Sequence, residues 1–146
     1  MNEPKYIARA RSQIGVKEIA GEIDQLQILS YFGATTFKAS HDEVPWCAAF
    51  VCWCLENEGI TATRSAWALS FKNWGTELKF PERYCIAIFK RNGGGHVGFV
   101  VGITDDNCLL ILGGNQHNEV NITKFSMADA ISYRRPPMVY AGVANA

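Results

Sequence analysis

Residues 44–59 read VPWCAAFVCWCLENEG, and from Trp46 to Leu55 the run is apolar all round. A helix with no polar face is buried on every side, so this segment belongs at the centre of the molecule. Ser40 and Glu43 have capping-box spacing and Pro45 suits a first helical turn, which predicts a helix starting between Ser40 and Pro45. Gly59 stops it. Three cysteines fall inside it, and packing is the default for a buried free thiol. Cys47 differs in position: it lies in the first turn, where unpaired backbone N–H groups and the helix dipole favour a thiolate. Cys52 and Cys54 lie beyond that short range. If that thiol forms a thiolate–imidazolium pair with His96, its pKa is expected well below the roughly 8.5 of free cysteine.

The segments on either side define the fold class. Upstream, PKYIARARSQIG places Tyr6, Ile7, Ala10 and Ile14 near helical spacing between Pro4 and Gly15, and IDQLQILSYFG reads as a second short helix ending at Gly33. Downstream, SAWALSFKNWG is a further short helical element ending at Gly75. After Pro81 the period changes to two. YCIAIFK, HVGFVVGIT, NCLLILGG, EVNITKF and ISYRRP then read as five strands joined by short polar turns. Helices first and strands afterwards predict an α+β fold, N-terminal helices packed on a C-terminal antiparallel sheet. A chain of 146 residues suits a single domain over residues 1–146.

Bulk properties exclude several functions. Lys plus Arg (14) balance Asp plus Glu (14), so no field recruits nucleic acid or an anionic membrane. No apolar run approaches a membrane span, and the N-terminal MNEPKYIARARSQIGVKE lacks a signal-peptide core. Synthesis in the cytoplasm, no stable membrane association and a monomer are the expectations. Five cysteines, an odd count without C-x-x-C spacing, argue against both a disulfide framework and zinc. Neither metal nor cofactor is expected.

A cysteine nucleophile needs a histidine base and a third group to orient it. His96 opens the strand HVGFVVGIT, and His41 and His117 lie in loops. A hairpin turning at TDDN, centred between Asp105 and Asp106, sets His96 opposite Asn115 at its open end. Opposed residues on an antiparallel pair have Cβ atoms about 4.5–5.5 Å apart, within reach of a His–Asn hydrogen bond. The same register opposes Gly98 and Gly113, whose bare backbone admits a close neighbour, with the start of the Cys47 helix the expected one.

VPWCAAFVCWCLENEGI, SAWALSFKNWG, GGGHVGFVVG and LILGGNQHNEVNI resemble, in that order, the CHAP family of the papain-like NlpC/P60 group. The likeness is greatest to single-domain phage and prophage cell-wall hydrolases, and ARSQIGVKEIAGEIDQLQILSYF extends it towards the N-terminus. The resemblance implies that Cys47 is the nucleophile, His96 the base and then the acid, and Asn115 the orienting group. Because the third position varies in the wider group, Gln116 and His117 compete for it. Tyr31 is a candidate second oxyanion donor, and Trp46, Trp67 and Trp74 are candidate groove residues. The implied substrate is bacterial peptidoglycan, cut at an amide bond during host lysis. A secretion-delivered toxin with the same triad, or a silent wall-binding module, are the alternatives. Some relatives bind calcium, but Asp42 and Glu43 are too few acids for such a site.

Overall fold

The computed structural model describes residues 2–19, 25–37, 45–91 and 95–137. The expected capping box (Ser40, Glu43), His41 and Asp42 lie outside the described residues. The central helix, α3, runs Cys47–Glu56, after α1 (Lys5–Arg11) and α2 (Leu26–Tyr31). Its N-cap is Trp46, which makes no side-chain capping bond, so Cys47 is the first helical residue and Pro45 stands outside the helix. Only Trp53 and Glu56 of its residues escape full burial. Gly59, at φ +77°, closes it, with the Ile60 N–H returning to the Leu55 carbonyl at 3.0 Å. Among the described residues, no helix is long and apolar enough to cross a membrane.

The upstream helices are shorter than the pattern implied. α1 stops at Arg11, which leaves Ile14 beyond it and exposed. α2 passes into a 3₁₀ turn at Phe32–Ala34, and SAWALSFKNWG supplies a second 3₁₀ segment, Ala68–Asn73.

Among the described residues the sheet is antiparallel with six strands: β1 (Thr76–Leu78), β2 (Ile86–Phe89), β3 (His96–Ile103), β4 (Cys108–Gln116), β5 (Glu119–Ser126) and β6 (Ala130–Arg135). Their order is β1-β6-β2-β3-β4-β5. β1 is the strand the sequence did not announce, because its three residues are mostly exposed and it pairs only with β6. Ile86, Ile88, Val97, Phe99 and Leu112 pack with α3, whereas Ala87, Phe89, Val100, Leu109 and Ile111 form a second core on the other face. Both faces of β2 are therefore apolar.

Two strands separate β2 from β5, which in a flat sheet would hold their side chains about 14 Å apart. The rings of Phe89 and Phe125 nevertheless stack with centroids 4.6 Å apart. The sheet thus curls over the face opposite α3, and the curl encloses the second core.

Candidate functional site

The β3–β4 hairpin builds the site. Its loop is Asp105-Asp106-Asn107, with Asn107 left-handed at φ +61° and the Thr104 N–H bonded to the Cys108 carbonyl at 2.9 Å. A three-residue loop of this kind centres on Asp106, half a residue later than expected. An irregularity between Val100 and Gly102 then restores the expected pairing, so Phe99 faces Leu112 and Val100 faces Ile111.

At the open end the register changes again. Between Gly113 and Gln116, β4 carries one residue more than β5, which pairs Gly113 with Asn121 but Gln116 with Glu119. Asn115 stands in the bulge at φ +57°. One inserted residue exchanges the faces of the strand beyond it. Gln116 therefore takes the side that Asn115 would have occupied, and its Oε1 lies 2.9 Å from His96 Nε2.

The opposed glycines make room for that contact. A Cβ on Gly113 would fall 2.7 Å from Gln116 Oε1, and one on Gly98 would meet Ile111 at 2.4 Å and Gln116 Oε1 at 3.7 Å. What lies over them is the Gln116 side chain, not the start of α3. Trp46 and Phe50 of the helix layer press instead on Gly114, where a Cβ would meet them at 2.6 and 2.8 Å.

Thr35, His96 and Gln116 are the only buried polar residues among those described. Thr35 satisfies its hydroxyl locally on the carbonyls of Phe32 and Phe37. The imidazole of His96 lies parallel to Phe125 at 5.3 Å, inside the curl. Its Nδ1 is buried and has no hydrogen-bond partner among the described residues. Cys47 belongs to the α3 core, where the backbone N–H groups of Val97, Ala48 and Cys47 itself favour its thiolate; among the described residues no hydrogen bond joins it to His96, whose ring stacks on Phe125 of the second core.

Burial pushes the Cys47 thiol above its ordinary pKa, against the pull of those N–H groups and the Arg91 charge. Burial also holds His96 down at about 4, with Arg91 adding to the effect and the Gln116 bond opposing it. The thiolate expected from the helix position is not the resting state. Desolvation outweighs the dipole, and thiol and imidazole each rest neutral near pH 7.

A stability consequence follows from that burial. The unfolded histidine takes up its proton near 6.5 and the folded one only near 4, so the unfolded state binds more protons between those values. Stability should fall as pH drops through this window, by roughly 3 kcal/mol if His96 acts alone. Urea unfolding at pH 7 and pH 4.5 measures this, and the fall should be smaller in His96→Gln.

The remaining candidates separate clearly. Tyr31 is fully buried and donates its hydroxyl to Gln13 Oε1 at 2.7 Å, so it is a core residue with its donor occupied. Trp46 is fully buried as well, its indole N–H donating to Glu18 Oε2 at 2.9 Å, and it lines no open groove. Trp74 gives its indole N–H to the Thr61 carbonyl. Trp67 is 56 % exposed. Leu69, two residues on, comes within 2.7 Å of a Cβ placed on Gly95, which brings this segment to the His96 end of β3. His117 is exposed in the β4–β5 turn at φ +56° and does not face His96. Among the described residues no group of His, Cys, Asp and Glu could hold a metal ion.

The exchange of Asn115 for Gln116 is directly testable. If His96 is the base, Gln116→Ala should lower turnover at least about tenfold, as loss of the group that orients a catalytic imidazole does. Asn115→Gly, which suits the left-handed bulge, should leave turnover within about threefold of wild type. Initial rates on purified peptidoglycan decide between them, and the reverse ranking would return the orienting role to Asn115.

A curled antiparallel sheet backed by a buried helix, with cysteine at the helix start and histidine on the adjoining strand, defines a papain-like α+β domain. The chain belongs to the CHAP domain family, whose match covers residues 39–115 and so stops one residue short of Gln116. No curated protein matches its sequence. Among solved structures it is similar to the peptidoglycan hydrolase RipB of Mycobacterium tuberculosis, at 17 % identity and TM-score 0.59, over 90 % of this chain and 62 % of that one. The P60 domain of an M. avium paratuberculosis antigen is similar at 16 % identity and TM-score 0.57, with 90 % of each chain covered. RipD of M. tuberculosis, described as a non-catalytic NlpC/p60 protein adapted to peptidoglycan binding, is similar at 16 % identity and TM-score 0.54, over 88 % of this chain and 92 % of that one. At such identities the likeness establishes the fold.

Proposed function

We propose that this protein hydrolyses an amide bond of peptidoglycan by acyl transfer, with Cys47 as nucleophile, His96 as base and Gln116 as the group that orients the imidazole. One observation carries the reading: His96 Nε2 is held by Gln116 while Nδ1 is left buried and unpartnered, one residue from Val97, whose backbone N–H is among the groups that favour the Cys47 thiolate. In this reading Nδ1 takes the thiol proton as the sulphur attacks the amide carbonyl. The tetrahedral oxyanion is stabilised by the Cys47 backbone N–H. Nδ1–H then protonates the departing nitrogen, and water hydrolyses the thioester to release the acid and restore the thiol. Proton transfer within a neutral pair generates the thiolate only when it is needed.

Membership of the CHAP family and the likeness to RipB support the wall as substrate. RipD raises a silent binding module as the second reading. Against it, a binding module gains nothing from burying an imidazole with an unpaired nitrogen, a group that costs stability. Trp67, exposed beside the His96 end, is the proposed groove residue. The resemblance to phage-encoded hydrolases supports host lysis as the setting; holin and spanin genes nearby would strengthen it, and secretion genes would favour a toxin.

Mass spectrometry of purified muropeptides after digestion tests the proposal. The expected products are pairs that together equal a substrate plus one water, with the new amine marking either muramoyl-L-alanine or a stem or bridge-peptide bond. Muropeptides unchanged after prolonged digestion would favour the silent module.

A further inference from the structure

The β4 bulge leaves a question the triad does not answer: what holds Gln116 against His96 in a stretch where the ladder is broken? Gln116 Nε2 donates to the carbonyls of Ile111 (3.1 Å) and Asn121 (2.9 Å) and to Asn121 Oδ1 (2.9 Å). Two of these partners are backbone carbonyls, which only accept, so the NH₂ group must face them. Oε1 is then the atom turned to His96, and the imidazole must carry its proton on Nε2 to donate to it. Nδ1 is left as the lone-pair nitrogen.

Asn121 grips the same residue from a second side. Its Nδ2 donates to the Gln116 backbone carbonyl at 2.8 Å and to Glu119 Oε2 at 3.2 Å. The Gln116 carbonyl only accepts, so the Asn121 amide is fixed with Nδ2 towards it, and its Oδ1 also accepts from Thr123 Oγ1 at 2.6 Å. Across the bulge, the Asn121 side chain therefore holds both the backbone and the amide of Gln116.

We infer that Asn121 is a positioning residue: it clamps the bulge that brings Gln116 to His96 and thereby fixes which imidazole nitrogen is free to act as base. The inference rests on the reading of His96 as the base. Asn121 acts only through Gln116, since its hydrogen bonds run to Gln116, Glu119 and Thr123. The side chain sits on β5, beyond the family match and outside the β3–β4 hairpin.

The test uses the full chain, uniformly ¹⁵N-labelled, at pH 7. Ring ¹H–¹⁵N correlations give the histidine tautomers, and the His96 signal is assigned by its loss in His96→Gln. Wild type should show His96 protonated at Nε2, with a ring N–H cross-peak that survives in water because the group is buried and bonded. In Asn121→Ala that cross-peak should broaden or vanish while the backbone spectrum stays folded, and kcat should fall about tenfold or more with KM unchanged.

Wild-type His96 protonated at Nδ1 would overturn the inference whether or not the variant folds. So would an Asn121→Ala protein that keeps a sharp ring N–H cross-peak, even if its activity fell, because the loss would then be merely structural. A vanished cross-peak with unchanged kcat would leave the clamp standing and sink His96 as the base. The two failures are thus distinguishable.

Discussion

Cys47→Ala should reduce peptidoglycan hydrolysis to the uncatalysed background, a loss of at least about 10⁴-fold, with the fold retained. The size follows from the role: without the sulphur no acyl-enzyme forms, and what remains is binding and the oxyanion donors alone. The fold should survive because the change removes one atom from a helix whose other buried residues still pack, at a cost of about 1 kcal/mol. Cys47→Ser should be nearly as inactive, since a neutral imidazole deprotonates a buried hydroxyl far less readily than a thiol. Turbidity clearance of purified walls is the measurement. Clearance by Cys47→Ala at anything close to the wild-type rate would sink the nucleophile assignment, and with it the acyl-transfer mechanism.

The second large effect should come from His96. His96→Ala would confuse chemistry with stability, because it leaves Gln116 Oε1 without a donor and opens a cavity against Phe125. His96→Gln retains an N–H to satisfy Gln116 but no base, and should lose about 10³-fold or more in kcat. The wild-type pH profile should carry a matching signature. The acid limb of kcat/KM reports the free enzyme's base, which burial holds at about 4, so activity should persist well below the 6.5 of an ordinary histidine. Half-maximal kcat/KM near 6.5 would show that the catalytic base is an exposed imidazole, and would point to a group other than His96.

The helix that carries Cys47, and that residue's place in its first turn, were legible in the sequence. An apolar run bounded by Gly59 determines a buried helix, and Cys47 stands first in it. The change of period after Pro81 likewise determined helices first and an antiparallel sheet afterwards, because alternation and helical spacing cannot be satisfied by one conformation. His96 was legible as the first residue of a strand. Each of these rests on a local pattern.

The partner of His96 was not legible in that way. Alternation along a strand holds only while the ladder is regular, and the β3–β4–β5 unit breaks it at the hairpin loop, at Val100–Gly102 and at Gly113–Gln116. The first two shifts cancel, so pairing in the middle of the hairpin matched expectation. The third does not cancel, and it turns Gln116, rather than Asn115, to the imidazole. A sequence fixes side-chain parity only up to its bulges, and the bulge at Asn115 adjoins Gly114, where Trp46 and Phe50 press in from across the core. The resting protonation state was decided at the same level. A helix start favours a thiolate by short-range dipoles that the sequence reveals, but burying Cys47 and His96 inside the sheet and helix removes water from both. That desolvation exists only once the chain has folded, and it is the larger effect.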